Sequence, residues 1–172
     1  MWELPVRKSI RLKNYDYSQE GHYFITICIK DNHEILWVDD TVGARIARLL
    51  SEIGETVKTA IENIPIIYAN ISLDKYVVMP NHIHMILLLN DDITSHKMNG
   101  NGGGRAMRAP TVSTVINQMK GYVTKQIGFS IWQKLFHDRI IRSEEAYQRI
   151  WKYIDENPQK WSEDCYFAKN PC

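Results

Sequence analysis

An apolar run interrupted by two histidines constrains the fold more than any other part of this chain. Between Tyr76 and Leu89 the side chains are mostly aliphatic, but His82 and His84 stand on either side of Ile83. Alternate residues of a β-strand point to opposite faces, so both imidazoles would emerge on the same face. A buried neutral imidazole needs partners for two nitrogens, and two imidazoles together can chelate a divalent metal. The run therefore predicts a buried strand with either a metal ion or other polar groups beside it.

The totals favour one domain spanning residues 1–172. A chain of 172 residues can bury its own core, and the formal net charge of +1 provides no overall basic field. The three cysteines form no metal-binding or disulfide pattern, which indicates reduced thiols. The chain lacks a signal-peptide apolar region, and no apolar stretch approaches the ~20 residues that span a bilayer. We expect a soluble cytoplasmic protein without a membrane partner.

Apolar periodicity predicts an α+β fold. Period-two alternation is typical of strands, and three- and four-residue spacing is typical of amphipathic helices. The predicted elements are a strand over 22–30, a helix over 42–64 capped from 39–41, a hairpin turning at 79–81, a helix over 111–127, a strand over 131–142 and a helix over 143–156. This order, β-α-β-β-α-β-α, indicates a ferredoxin-like antiparallel sheet with helices packed on it.

Three further segments differ in composition from these elements. Residues 1–20 combine cations with Tyr15 and Tyr17, as in arms that bind phosphates and stack on bases, although a solvated terminus is the alternative. Residues 94–110 are glycine-rich and predict a flexible loop, and residues 157–172 form a C-terminal tail. The basic residues of the arm and loop are Arg7, Lys8, Arg11, Lys13, Arg105 and Arg108.

The helix over 111–127 carries a tyrosine and an amide that would share one face. Tyr122 and Gln126 are four residues apart and therefore project from neighbouring turns. A phenol becomes a nucleophile only beside an acid, base or metal, because its unperturbed pKa is about 10. A metal held by His82, His84 and the Gln126 oxygen would polarise a phosphate for attack by Tyr122. Each residue alone also suits an ordinary structural or surface role.

The chain resembles the HUH single-tyrosine transposases, and specifically their REP-associated tyrosine transposase branch. The resemblance begins with His82-Ile83-His84 after Val78-Met79-Pro80-Asn81 and extends over most of the chain. It includes residues 7–12 and 21–28, the helix that carries Tyr122, and residues 137–142 and 157–161.

The resemblance implies a ferredoxin-like fold and a metal-dependent reaction on single-stranded DNA beside a hairpin. It makes Tyr122 the nucleophile, and it makes His82, His84 and Gln126 the ligands of a divalent ion. The sequence does not distinguish between Mg²⁺ and Mn²⁺. The expected products are a 5′-phosphotyrosine and a free 3′-hydroxyl, which can rejoin strands. In related enzymes the tyrosine helix can belong to a partner subunit, so monomer and homodimer both stay open. Further DNA contacts are expected from Lys120, Lys125, Arg139 and Arg142.

Two other functions remain alternatives at this point. A hairpin-binding regulator of the same fold would bind DNA without cleaving it, and would tolerate loss of His82 or Tyr122. A metallohydrolase that uses an activated water would need the histidines but not the tyrosine. The enzyme that cleaves and rejoins DNA through a tyrosine is favoured, because neither alternative requires a tyrosine with a glutamine four residues later.

Overall fold

A four-stranded antiparallel sheet lies at the centre of the structure, a computed structural model that describes residues 19–38, 49–90 and 110–167. The strands are β1 (Gly21–Cys28), β2 (Ile71–Val78), β3 (His82–Leu89) and β4 (His137–Ile141). Their spatial order is β2-β3-β1-β4, which places β3 inside the sheet between β2 and β1. The sheet and the order of its elements confirm the predicted α+β ferredoxin-like fold.

Four α-helices pack on this sheet: α1 (Glu52–Glu62), the short α2 (Ile64–Ile67), α3 (Val112–Ile127) and α4 (Glu144–Glu156). Thr111 and Ser143 cap α3 and α4 through their side-chain oxygens, and Gly128 ends α3 in a left-handed conformation at φ 86°. These bounds confirm the two helices predicted over 111–127 and 143–156. Among the described residues, no helix has the length and apolar character needed to cross a bilayer.

Two predicted elements are shorter than expected. The first helix begins at Glu52 rather than near residue 42, because Ser51 accepts a hydrogen bond from the Gly54 amide and Leu50 bridges to Trp37 in extended conformation. The caps expected at 39–41 lie outside the described residues. The strand expected from residue 131 begins at 137, since only Trp132 of the preceding segment makes a bridge. Most of the predicted N-terminal arm and glycine-rich loop also lies outside the described residues.

The two faces of the sheet bury different helices. On one face, Ile25, Ile83 and Met85 belong to the main apolar core together with buried side chains of α1 and α3. On the other face, Ile86 packs with Ile150 and Ile154 of α4. Alternation along β3 puts His82 and His84 in phase with Ile86. Both histidines therefore lie on the face covered by α4, and the sheet separates them from α3.

Candidate active site

The two histidines of β3 lie side by side in a fully buried position. His82 is 0% exposed and His84 is 2% exposed, and their ring centroids are 4.5 Å apart. On the neighbouring strand β1, His82 is paired with Cys28 and His84 with Thr26. This is the shared face that the spacing predicts.

Burial keeps both imidazoles uncharged. It lowers the pKa of His82 to about 3, and burial together with the neighbouring His82 lowers the pKa of His84 well below its usual range. Nδ1 of His82 lies 2.8 Å from Oδ1 of Asn81, and Nδ1 of His84 lies 2.8 Å from Oγ1 of Thr26. The Nε2 atoms are the ones left facing α4 and the C-terminal segment, in the neutral state that metal ions require.

Asp164 completes a group with the chemistry of a metal site. One ligand atom from each of His82, His84 and Asp164 lies within 4.8 Å of the other two, and all three residues are buried. Asp164 follows a single 3₁₀ turn, Trp161–Glu163, in the predicted C-terminal tail. Asn157 Nδ2 donates to its Oδ2 at 2.9 Å, and the Tyr166 amide donates to its Oδ1 at 2.8 Å.

Two buried atoms at this group have no hydrogen-bond partner among the described residues: Nε2 of His82 and Oδ1 of Asn157. An unsatisfied buried polar atom costs about 1–3 kcal/mol, so native proteins rarely keep one without a ligand, a water or an ion. Two imidazole nitrogens, a carboxylate and an amide oxygen suit a divalent ion. The residues present therefore fit the metal that the sequence predicts, although with Asp164 in the site instead of Gln126.

A phenol reaches this group from α4. The Tyr153 hydroxyl lies 3.2 Å from Nε2 of His84 and donates to Oδ2 of Asp164 at 3.1 Å. Burial and the negative charge of Asp164 raise the pKa of Tyr153 above its ordinary value, so the phenol is protonated at neutral pH. Tyr153 and Asn157 are four residues apart, and both project from the end of α4 toward the histidines.

A groove of about 170 Å³ opens beside the phenol. Whereas the histidines are covered, Tyr153 is 41% exposed and lines this groove. Its other lining residues are Glu156, Asn157, Lys160, Glu163 and Asp164. Lys160 is paired with Glu156 at 2.7 Å, which leaves the groove with excess negative charge. A phosphate would be repelled there unless a cation were bound as well.

The C-terminal segment covers the histidine pair. The rings of Trp161 and Tyr166 lie 5.8 Å and 4.5 Å from the His82 ring, centroid to centroid. The Tyr166 carbonyl accepts a hydrogen bond from Asn81 Nδ2 at 2.8 Å. The predicted tail is therefore a structural part of the site, and it accounts for the burial of His82.

Tyr122 and Gln126 lie elsewhere in the chain's fold. Tyr122 is on α3, on the opposite face of the sheet, where it lines a separate cavity of about 190 Å³ with Ile64 and Tyr68. Gln126 is exposed one turn further along the same helix. One chain therefore does not assemble the predicted set of His82, His84, Tyr122 and Gln126, because α3 and the histidines are on different faces.

The sequence contains a signal for the tyrosine that does reach the histidines. Tyr153 and Asn157 have the same four-residue spacing as Tyr122 and Gln126, and they end a helix that the periodicity predicts. Residues 157–161 also belong to the stretches that carry the family resemblance. Asp164 has no comparable signal, because it lies in an irregular segment whose path depends on packing.

The candidate DNA-contacting residues differ in their surroundings. Lys120 is buried, and its ammonium donates to the Gln133 carbonyl at 2.7 Å, so it holds the loop before β4 rather than facing a ligand. Lys125, Arg139 and Arg142 are exposed. Arg139 pairs with Phe24 in the sheet and shares the histidine face. The remaining six, Arg7, Lys8, Arg11, Lys13, Arg105 and Arg108, lie outside the described residues.

Comparisons with known proteins agree with this fold. No family model matches the chain. A solved structure described as the REP-associated tyrosine transposase bound to a REP hairpin superposes with a TM-score of 0.58 and 21% identity, over 92% of this chain and 77% of that one. The chain thus has the fold of the REP-associated tyrosine transposases, as the resemblance implies.

A second relationship is evident from sequence. An uncharacterized protein of Haemophilus influenzae is 36% identical over 169 residues, which cover 92% of this chain and 91% of the relative. The chain belongs to the same family as that protein.

Proposed function

We propose that this protein is a metal-dependent transposase that cleaves and rejoins single-stranded DNA near hairpins, and that its nucleophile is Tyr153. The observation that carries the proposal is the position of the Tyr153 hydroxyl, 3.2 Å from Nε2 of His84 and bonded to Asp164. A phenol, two imidazoles and a carboxylate around one buried point form a set that suits phosphoryl transfer. The REP hairpin bound by the structurally similar transposase supports a hairpin substrate.

His82, His84 and Asp164 would hold the divalent ion, with Oδ1 of Asn157 as a further ligand. When bound, Mg²⁺ or Mn²⁺ supplies positive charge that polarises the scissile phosphate and offsets the charge developing on it. The carboxylates that line the groove explain the requirement for a cation, since the described side chains alone would repel the phosphate.

The chemical step is an exchange of phosphate esters. The Tyr153 oxygen attacks the phosphorus and forms a new O–P bond, while the bond between phosphorus and the 3′ oxygen breaks. The phosphate thus joins Tyr153 to the 5′ end of one DNA fragment. The phenolic proton passes to Asp164, whose Oδ2 already accepts its hydrogen bond. The departing 3′ oxygen takes up a proton from water and becomes a free hydroxyl, and Asp164 gives its proton back to water through the groove that it lines. Attack of a 3′-hydroxyl on the phosphotyrosine reverses these bonds and joins strands.

The arrangement of the site also bears on partners. A single chain supplies all the proposed groups, so the reaction requires no tyrosine from a partner subunit. Arg139 is exposed on the histidine face of the edge strand β4, where it would contact the phosphate backbone. The basic arm around Arg7 and Arg11 is proposed to add contacts to the hairpin.

The test uses two tyrosine variants as matched controls for each other. Labelled single strands that carry a hairpin are incubated with the protein and Mn²⁺ or Mg²⁺, and covalent adducts are resolved under denaturing conditions. The unaltered chain and Tyr122→Phe should form an adduct, whereas Tyr153→Phe should form none. An adduct that survives Tyr153→Phe but not Tyr122→Phe would contradict the assignment. If the unaltered chain binds the hairpin but forms no adduct, the result would favour a non-cleaving regulator. If Tyr153→Phe still cleaves DNA in a metal-dependent way, the result would favour a metallohydrolase.

A further inference from the structure

The turn before the histidine strand contains a buried side-chain amide whose nitrogen and oxygen both have hydrogen-bond partners. Asn81 is 1% exposed and lies between β2 and β3. Its carbonyl accepts from the Ile29 amide at 2.8 Å, and the carbonyl of Pro80 accepts from the Leu36 amide at 3.0 Å. The backbone on which this side chain stands is thus held by two neighbouring segments.

The contacts of Asn81 determine which way its amide points. Its Nδ2 donates to the Tyr166 carbonyl at 2.8 Å and to the Asn32 carbonyl at 3.4 Å. Carbonyl oxygens only accept, so the nitrogen must face them and the side-chain oxygen must face the other way. That oxygen lies 2.8 Å from Nδ1 of His82. Because it too only accepts, His82 must carry its proton on Nδ1.

We propose that Asn81 is a positioning residue for the metal site: it holds His82 in the Nδ1–H tautomer, so that Nε2 presents its lone pair to the ion. The inference rests on the proposed function, in that it assigns a role toward the metal proposed there. Metal-binding histidines commonly donate their second nitrogen to an oxygen acceptor, which fixes both ring orientation and tautomer. The unpartnered Nε2 of His82 is the atom left free by this arrangement.

At its Nδ1 atom, the second histidine lacks an equivalent constraint. Nδ1 of His84 contacts the Thr26 hydroxyl at 2.8 Å, and a hydroxyl donates or accepts according to its rotation. Thr26 therefore orients the ring without selecting the tautomer. Asn81 is the asymmetric element of the pair, since its amide cannot exchange the two roles without giving up its hydrogen bonds to Tyr166 and Asn32.

The same amide connects His82 to the segment that carries the carboxylate. Asn81 binds the Tyr166 carbonyl, and the Tyr166 amide donates to Oδ1 of Asp164 at 2.8 Å. One buried side chain thus aligns a histidine ligand and stabilises the turn that brings Asp164 to it. Loss of the side chain should loosen both halves of the site.

The tautomer is measured first, in the metal-free, unaltered protein. Long-range ¹H–¹⁵N correlation spectra distinguish a protonated from an unprotonated ring nitrogen, and the His82 signals are assigned by their loss in His82→Gln. We expect Nδ1 protonated and Nε2 unprotonated. A His82 signal with the proton on Nε2 would overturn the inference, and this measurement does not depend on whether any Asn81 variant folds.

Mn²⁺ affinity then tests the consequence, by electron paramagnetic resonance of the free ion. Asn81→Ala should bind Mn²⁺ roughly 10–100-fold more weakly. Asn81→Asp retains an acceptor oxygen for His82 but loses the donor to the Tyr166 carbonyl, so it should keep the tautomer while weakening Mn²⁺ binding. Asn90→Ala, which replaces an exposed asparagine at the other end of β3, should change neither the tautomer nor the affinity. A folded Asn81→Ala variant that binds Mn²⁺ as well as the unaltered chain would refute the role. These measurements use no DNA, so their outcome does not depend on whether the protein cleaves DNA.

Discussion

The Tyr153 hydroxyl lies 3.2 Å from Nε2 of His84, across the interface between α4 and the central strand β3. The contact brings a phenol from a helix surface to an otherwise closed pair of histidines. Because the Tyr153 ring also borders the acidic groove, it connects this buried pair with solvent.

Replacing Asp164 should weaken metal binding, and replacing Gln126 should not. Asp164→Asn removes a charged oxygen ligand while preserving the shape of the side chain, so we expect Mn²⁺ affinity to fall by roughly tenfold or more. Gln126→Ala changes an exposed residue on the other side of the sheet and should leave affinity unchanged. Calorimetric titration with Mn²⁺ measures both variants. Equal losses in the two variants would argue for a site that also includes α3.

The metal-free fold should lose stability in acid. Burial lowers the folded-state pKa of His82 to about 3, while the unfolded value is near the usual 6.5. Between these values the unfolded chain binds the extra proton, so stability present at pH 7 decreases as the pH falls below about 6.5. For His82 the loss by pH 5 is about 2 kcal/mol, and His84 adds to it in the same direction.

Urea unfolding at pH 7 and pH 5 measures this loss. Saturating Mn²⁺ should add stability at both pH values without changing the loss between them, because the folded imidazoles are already neutral at pH 5 and the loss comes from protonation of the unfolded chain. The exposed His137→Gln serves as the control and should keep the pH dependence of the unaltered chain, whereas His82→Gln should diminish it. A pH dependence that is identical in His82→Gln would show that His82 is not the group responsible.

Lys120 should contribute to stability and not to DNA binding. In Lys120→Met the hydrogen bond from the ammonium to the Gln133 carbonyl is removed, and a carbonyl is left unsatisfied, at a cost of about 1–3 kcal/mol. The neighbouring Lys125→Met changes an exposed residue and should alter stability by less than about 0.5 kcal/mol. Chemical denaturation reports the difference. Unchanged stability in Lys120→Met would contradict a structural role.

Arg139 should contact DNA more strongly than Lys125. Arg139 lies on the histidine face, whereas Lys125 is on α3 across the sheet. For each phosphate that a variant no longer neutralises, the slope of log affinity against log salt should become shallower by roughly 0.7–0.9. Fluorescence anisotropy with a labelled hairpin strand at several salt concentrations compares Arg139→Ala with Lys125→Ala. A larger change in Lys125→Ala would place the DNA on the α3 face instead.

The fold could be predicted from local patterns because each pattern reports a local cause. Period-two alternation placed His82 and His84 on one face, and Thr111, Ser143 and Gly128 marked helix ends through capping and backbone geometry. The range predicted for the first helix is too long because the helical spacing of apolar residues includes Leu50, which instead forms a β-bridge with Trp37.

The sequence by itself determined the order of the elements, the pairing of two imidazoles, and the existence of tyrosine–amide pairs on two helices. Only the tertiary structure decided which pair meets the histidines. Tyr122 with Gln126 and Tyr153 with Asn157 have identical spacing, so local physics cannot distinguish them. The choice depends on which helix covers which face of the sheet, and on an irregular segment that brings Asp164 back to β3. Those contacts join residues far apart in the chain, and they arise from packing rather than from periodicity.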